Sequence, residues 1–174
     1  RDQYILFGCG NSLVEKLEAN TEIKKGGEVV EAMTFENTKK TEPEKSYIKL
    51  TKTIEGPVTA TDLTDLKFTV NDGTTDIFTG VLGQFNDEGT DADKGVYVKI
   101  LEVDSTKTYT VTETLDIPDG TTLKVTYSVG TDEATTVDVT DEETVATEGF
   151  TVEEGTTKDV NFKNEYTSIP VDVV

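Results

Sequence analysis

Residues 159–166 read DVNFKNEY, and their alternation decides the fold class. Val160, Phe162 and Tyr166 share one side of an extended chain, while Asn161, Lys163 and Glu165 share the other. That is the period-2 pattern of a strand with one buried face. Asn164 breaks it, because it places a carboxamide on the apolar side.

The same rhythm recurs at 47–54 (YIKLTKTI), 65–70 (DLKFTV), 108–115 (TYTVTETL), 122–129 (TLKVTYSV) and 136–140 (TVDVT). Turn signals punctuate it: Asn-Asp-Gly at 71–73, Pro-Asp-Gly at 118–120 and Glu-Glu-Gly at 153–155. Short alternating strands at this spacing predict an all-β, antiparallel, immunoglobulin-like sandwich. Threonine supplies 32 of the 174 residues and fills the polar faces. Only residues 11–20, with Leu13, Val14, Leu17 and Ala19, hint at a helix.

Composition narrows the function. With 35 acidic against 16 basic residues the net charge is −19, which argues against nucleic-acid binding through phosphates. No window of about 18 apolar residues predicts a membrane-crossing helix. The chain has no histidine and a single cysteine, Cys9, which excludes an internal disulfide, the usual zinc sites and Ser-His or Cys-His nucleophile pairs. No cofactor is expected.

Two more strands carry a polar residue on the apolar side. The inward series Ile48, Leu50, Lys52, Ile54 contains a lysine, and Tyr109, Val111, Glu113, Leu115 contains a glutamate. Buried alone, each of Lys52, Glu113 and Asn164 would cost several kcal/mol. Together they form a reactive set. Desolvation favours the neutral amine, a nucleophile, and the neutral acid, a proton donor. A protonated Glu113 is expected to hydrogen-bond and polarise the Asn164 carbonyl while Lys52 attacks it, and then to shuttle the proton that lets ammonia leave. The product is an amide bond between two side chains, made once and never turned over, so the chain is not read as an enzyme.

Residues 22–40 and 151–167 look like copies of one unit: strand, Gly turn, then a strand with Phe two before Asn, Phe35 with Asn37 and Phe162 with Asn164. Upstream, residues 4–12 parallel 123–132. The asparagines lie 127 positions apart, which sets the repeat length. Residues 1–39 are then the C-terminal part of an incomplete repeat, 40–46 a linker around Pro43, 47–168 a complete domain, and 169–174 a tail or the start of the next linker. Asn37 shares a face with Met33 and Phe35, and no lysine strand like 47–54 precedes it. It is a crosslink acceptor candidate: either the preceding two-thirds of its repeat are missing from this sequence, or a neighbouring chain completes residues 1–39.

The set Lys52, Glu113 and Asn164, embedded in LTKTIEG (50–56), YTVTETLDIPDG (109–120) and FKNEY (162–166), resembles the Cna-B-type domains of Gram-positive pilins and surface adhesins. Tyr109, Glu113, Thr114, Pro118 and Gly120 also outline the pilin E-box, with the proline one residue later than usual and Thr121 in place of the closing aromatic. The resemblance covers about residues 44–168, and 1–39 in part. It implies a Lys52–Asn164 isopeptide bond assisted by Glu113. The function it implies is a structural repeat of an extracellular fibre on the cell wall or pilus, whose partners are other repeats or subunits. A ligand-binding adhesin module contacting a host molecule is the alternative.

Other candidates are weaker. Lys49, on the polar face of its strand, replaces Lys52 as nucleophile only after a one-residue register shift. Asp91, Asp93, Gly95 and Glu102 trace an incomplete calcium loop and read better as a solvated acidic loop and strand. Cys9 matches Val129 in the repeat and reads as a small buried residue.

Overall fold

A computed structural model describes residues 42–170 and, before them, the short strands β1 (Lys24–Lys25) and β2 (Glu28–Val29). The chain divides into two compact units, Arg1–Thr41 and Glu42–Val174. In the first, β1 and β2 pair antiparallel on either side of Gly26-Gly27, with Lys24 opposite Val29. Cys9, Met33, Phe35, Asn37 and the rest of the incomplete repeat lie outside the described residues, as do residues 171–174 of the tail.

The second unit is an all-β sandwich of two sheets. Its strands are β3 (Ser46–Glu55), β4 (Lys67–Asn71), β5 (Asp76–Val81), β6 (Val96–Val103), β7 (Thr108–Thr114) and β8 (Thr121–Val129). The remainder are β9 (Thr135–Asp138), β10 (Thr144–Ala146), β11 (Phe150–Thr151) and β12 (Thr157–Ser168). One sheet runs β10-β7-β4-β5, with β11 also on β7; the other runs β6-β3-β12-β8-β9. Where β10 gives way to β11, Thr147 bridges the gap. Its N–H donates to the Val111 carbonyl at 2.9 Å, and its hydroxyl accepts from the Val111 N–H at 3.1 Å.

The expected alternation holds residue by residue along β3 and β7, and fades toward the end of β8, where residues 126–129 are all half-buried. Along β3, Ile48, Leu50, Lys52 and Ile54 are buried while Tyr47, Lys49, Thr51 and Thr53 are only half-buried. The inward faces of the two sheets close on a core in which Phe68 packs against Phe85 and Phe162, each ring centroid 5.3 Å away.

The expected antiparallel sandwich needs one amendment. The first and last strands of the domain, β3 and β12, lie side by side and parallel, from Tyr47 opposite Thr157 to Glu55 opposite Glu165. Parallel neighbours cannot be joined by a hairpin, and here the rest of the domain is the connection between them. Alternation within a strand carries no information on neighbour or direction, so the sequence pattern was silent on this pair.

Gly56 ends β3 with φ of +109°, and a Cβ there would run into the Tyr166 backbone carbonyl. Gly95, at φ +69°, closes just as tightly on the Ile54 carbonyl. Both positions require glycine.

Candidate functional site

Three elements place three polar side chains at one point in the core. Lys52 projects inward from β3, between Phe162 of β12 and Tyr97 of β6 in the ladder. Asn164 lies two residues past Phe162 on β12, on the same face of the same sheet. Glu113 comes from the other sheet, on β7, between Phe68 and Val145 of the neighbouring strands. All three are fully buried, at 0% exposure.

Lys52 Nζ donates to Glu113 Oε1 at 2.7 Å, and Asn164 Nδ2 donates to the same oxygen at 2.8 Å. The lysine nitrogen and the amide nitrogen are therefore no farther apart than those two hydrogen bonds laid end to end. Lys52 Nζ also stands 5.7 Å from the centre of the Phe68 ring.

Burial governs the lysine. Removal from water pushes the Lys52 ammonium down to about 8, and the attraction of Glu113 offsets only part of that. The neutral, nucleophilic amine is thus within reach near neutral pH. The carboxylate and the amide are incompletely matched: Glu113 Oε2 and Asn164 Oδ1 are buried acceptors with no donor. Such orphans are rare in native interiors. A proton on Glu113 would supply one of the missing donors.

The amide faces Glu113 through its nitrogen, where a carbonyl contact was expected. An unprotonated carboxylate only accepts, so it draws the NH2 end of the amide. From sequence alone Tyr166 reads as one more apolar-face residue, but its hydroxyl belongs to the site. Its hydroxyl accepts from Asn164 Nδ2 at 3.3 Å and donates to the Asp116 carbonyl at 2.9 Å. The available signal was its spacing, two residues from Asn164 on the same buried face, together with a polar tip that needs a partner.

The remaining candidates are elsewhere. Lys49 is on the outer face of β3, opposite Asp159 and Ile100, and the β3–β12 register runs without a shift. Asp91 pairs with Lys94 at 2.6 Å, while Glu102, on β6, pairs with Lys45 at 2.8 Å. Among the described residues no acidic or cysteine cluster is placed to hold a metal ion, and no helix is long and apolar enough to cross a membrane. Of the E-box outline, Tyr109 exchanges hydrogen bonds with the Asp104 backbone, and the Pro118 carbonyl accepts from the Thr121 N–H at 3.1 Å and hydroxyl at 2.7 Å.

No family model matches the chain, and no curated protein matches it significantly. Among solved structures it is similar to a mutant form of the major pilin from Streptococcus pyogenes, with a TM-score of 0.36 and 12% identity. The match covers 70% of this chain and 48% of that one, so the chain spans about half the length of its neighbour. A likeness this slight adds nothing to the sandwich, which rests on its own strands and register.

Proposed function

We propose that residues 47–168 form a structural repeat of a bacterial cell-surface fibre, a pilin or adhesin stalk, whose first and last strands are joined by a self-formed Lys52–Asn164 isopeptide bond. The observation that carries this reading is the sharing of Glu113 Oε1 by the lysine nitrogen and the amide nitrogen. One atom touches both the incoming and the departing nitrogen, which is the position a proton relay requires.

The chemistry balances on the residues present. A proton passes from the Lys52 ammonium to Glu113, leaving a neutral amine beside a neutral acid. The amine attacks Asn164 Cγ, and a C–N bond forms. Glu113 gives its proton to Nδ2 and takes one from the attacking nitrogen. The Cγ–Nδ2 bond breaks, ammonia leaves, and Glu113 ends as the neutral acid. A buried ion pair is replaced by neutral groups, so the penalty of holding charge in the core disappears with the reaction. The reaction consumes its own side chains, so the site is not a turnover enzyme.

The bond would close a loop of about a hundred residues and stabilise the fold by about 5 kcal/mol, by analogy with other crosslinks that restrict the unfolded chain. Pulling on the domain ends would then load a covalent bond in place of the β3–β12 hydrogen bonds. A mechanical link of this kind suits an extracellular fibre built with other repeats or subunits, in a chain whose one cysteine offers no internal disulfide.

Intact mass of the full chain, with Lys52→Ala and Asn164→Ala beside it, tests the reading. A wild type lighter by one ammonia, with both variants at full mass, is the expected result. Full mass in the wild type would leave a buried polar network and bring a ligand-binding surface module to the front.

A further inference from the structure

Asn164 has two amide hydrogens, and each has a partner: Glu113 Oε1 at 2.8 Å and the Tyr166 hydroxyl at 3.3 Å. That hydroxyl is itself fixed. Its own proton is engaged by the Asp116 backbone carbonyl at 2.9 Å, so only its lone pairs face the amide. Tyr166 is 3% exposed, and its backbone carbonyl lies so near Gly56 that any Cβ there would collide with it, so the residue is closely packed.

We propose that Tyr166 is a working part of the crosslinking site, holding the leaving nitrogen of Asn164 toward Glu113 and stabilising it as the Cγ–Nδ2 bond breaks. The proposal rests on the isopeptide reading above. A side-chain amide has two orientations, differing in whether oxygen or nitrogen faces the acid. A hydroxyl presenting only lone pairs selects the orientation in which nitrogen, the atom that must be protonated, meets Glu113. In the resting site the contact is a long hydrogen bond between neutral groups. Once Nδ2 takes the proton it carries positive charge, and the same contact becomes charge-assisted and about twice as strong. A contact that strengthens as the bond breaks speeds the step instead of merely holding the reactant. The Asp116 carbonyl adds to this, because a phenol that donates is a better acceptor. Desolvation lifts the Tyr166 hydroxyl far above the usual phenol range, so it acts as a neutral acceptor and not as a base.

The test is the rate of ammonia loss. The full chain is made by cell-free synthesis, quenched into denaturant at intervals and weighed intact. Tyr166→Phe keeps the ring and removes the acceptor. It is expected to crosslink roughly tenfold more slowly. The midpoint of its pH–rate profile should match the wild type, because Lys52 is untouched. Folding is controlled with Lys52→Ala/Tyr166→Phe, which cannot crosslink: rates are compared at a temperature where circular dichroism shows that double variant fully folded. An unchanged rate in Tyr166→Phe, or a slowing that vanishes at that temperature, overturns the proposal. Full mass in the wild type is a separate outcome, which overturns the isopeptide reading itself and the role of Tyr166 with it.

Discussion

Among the lysine–carboxylate pairs that tie distant parts of this domain together, Lys52 with Glu113 and Lys107 with Asp72 are built in opposite ways. The Lys107 side chain is 42% exposed, whereas Lys52 is sealed at 0%. Asp72 fastens the turn between β4 and β5. Its Oδ1 accepts from the Thr74 N–H and hydroxyl and from the Thr75 N–H and hydroxyl, and Oδ2 takes Lys107. Glu113, by contrast, has one oxygen serving two nitrogens and one with no donor. Their lysines titrate in opposite directions. The hydrogen bond that Lys107 donates to Asp72 raises Lys107, while desolvation lowers Lys52 to about 8. A satisfied, half-wet pair is a fastening. A dry pair with orphaned acceptors is costly to keep, and under the proposed crosslinking that cost is discharged by the reaction.

The largest effect should come from breaking the dry pair on the acidic side. Glu113→Ala removes the relay and leaves an uncompensated ammonium in the core. It is expected at full mass and less stable than Asn164→Ala, which loses the proposed bond but keeps the Lys52–Glu113 ion pair. For Asn164→Ala the loss should be about 5 kcal/mol in a denaturant titration, with about 3–5 kcal/mol more for Glu113→Ala. Equal midpoints for the two variants would contradict the charge-burial account.

The pH response of uncrosslinked Asn164→Ala sharpens the contrast. Because the folded Lys52 titrates near 8 and an unfolded lysine near 10.4, the unfolded state binds more protons between those values. Stability should therefore rise with pH across that window. Asp72 gives a rise of the same sign in an acidic window, for the opposite reason: Lys107 and the turn donors favour its charged form and hold its carboxyl well below the usual carboxylate range. Its contribution is present above the ordinary carboxylate value and is lost as pH falls toward the folded one. Melting curves at pH 8 and pH 10 for Asn164→Ala, and down an acid series for wild type and Asp72→Asn, separate the two.

Smaller effects belong to the wet pair and the outer face. Asp72→Ala should lower the melting temperature by about 5 °C, since four turn hydrogen bonds go with the ion pair. Lys107→Ala, at a half-exposed site, should shift it by less than about 2 °C. Lys49→Ala should leave the ammonia loss intact by mass. A full-mass Lys49→Ala would mean that the wrong lysine of β3 has been assigned.

The strand faces were legible because alternation is a property of single strands: Ile48, Leu50, Val111 and Phe162 are buried where the pattern puts them. Lys52, Glu113 and Asn164 were legible for the same reason, as polar residues in apolar slots. Their meeting was expected from their chemistry and from the family resemblance, but the topology that brings them together was not legible. Nothing local to β3, β7 or β12 says that the first strand runs parallel to the last, or that Glu113 reaches them from the opposite sheet. The orientation of the Asn164 amide and the anchoring of the Tyr166 hydroxyl on Asp116 depend on backbone groups from another segment, which one-letter patterns do not encode. The Asp72–Lys107 fastening joins two turns, and turn residues show no periodicity to break.

The parallel register of β3 and β12 also sets how far the domain can lengthen. Lys52 is the seventh residue of β3 and Asn164 the eighth of β12. With the proposed bond in place, only residues 46–51 and 165–168 of the two strands can peel away, roughly 35 Å of chain that the strands already hold extended, so the end-to-end gain is small. Without it the whole span from 46 to 168 can unravel to about 400 Å. A series of such repeats would be a tether of nearly fixed length, able to pass on a sudden pull but not to absorb it by unfolding.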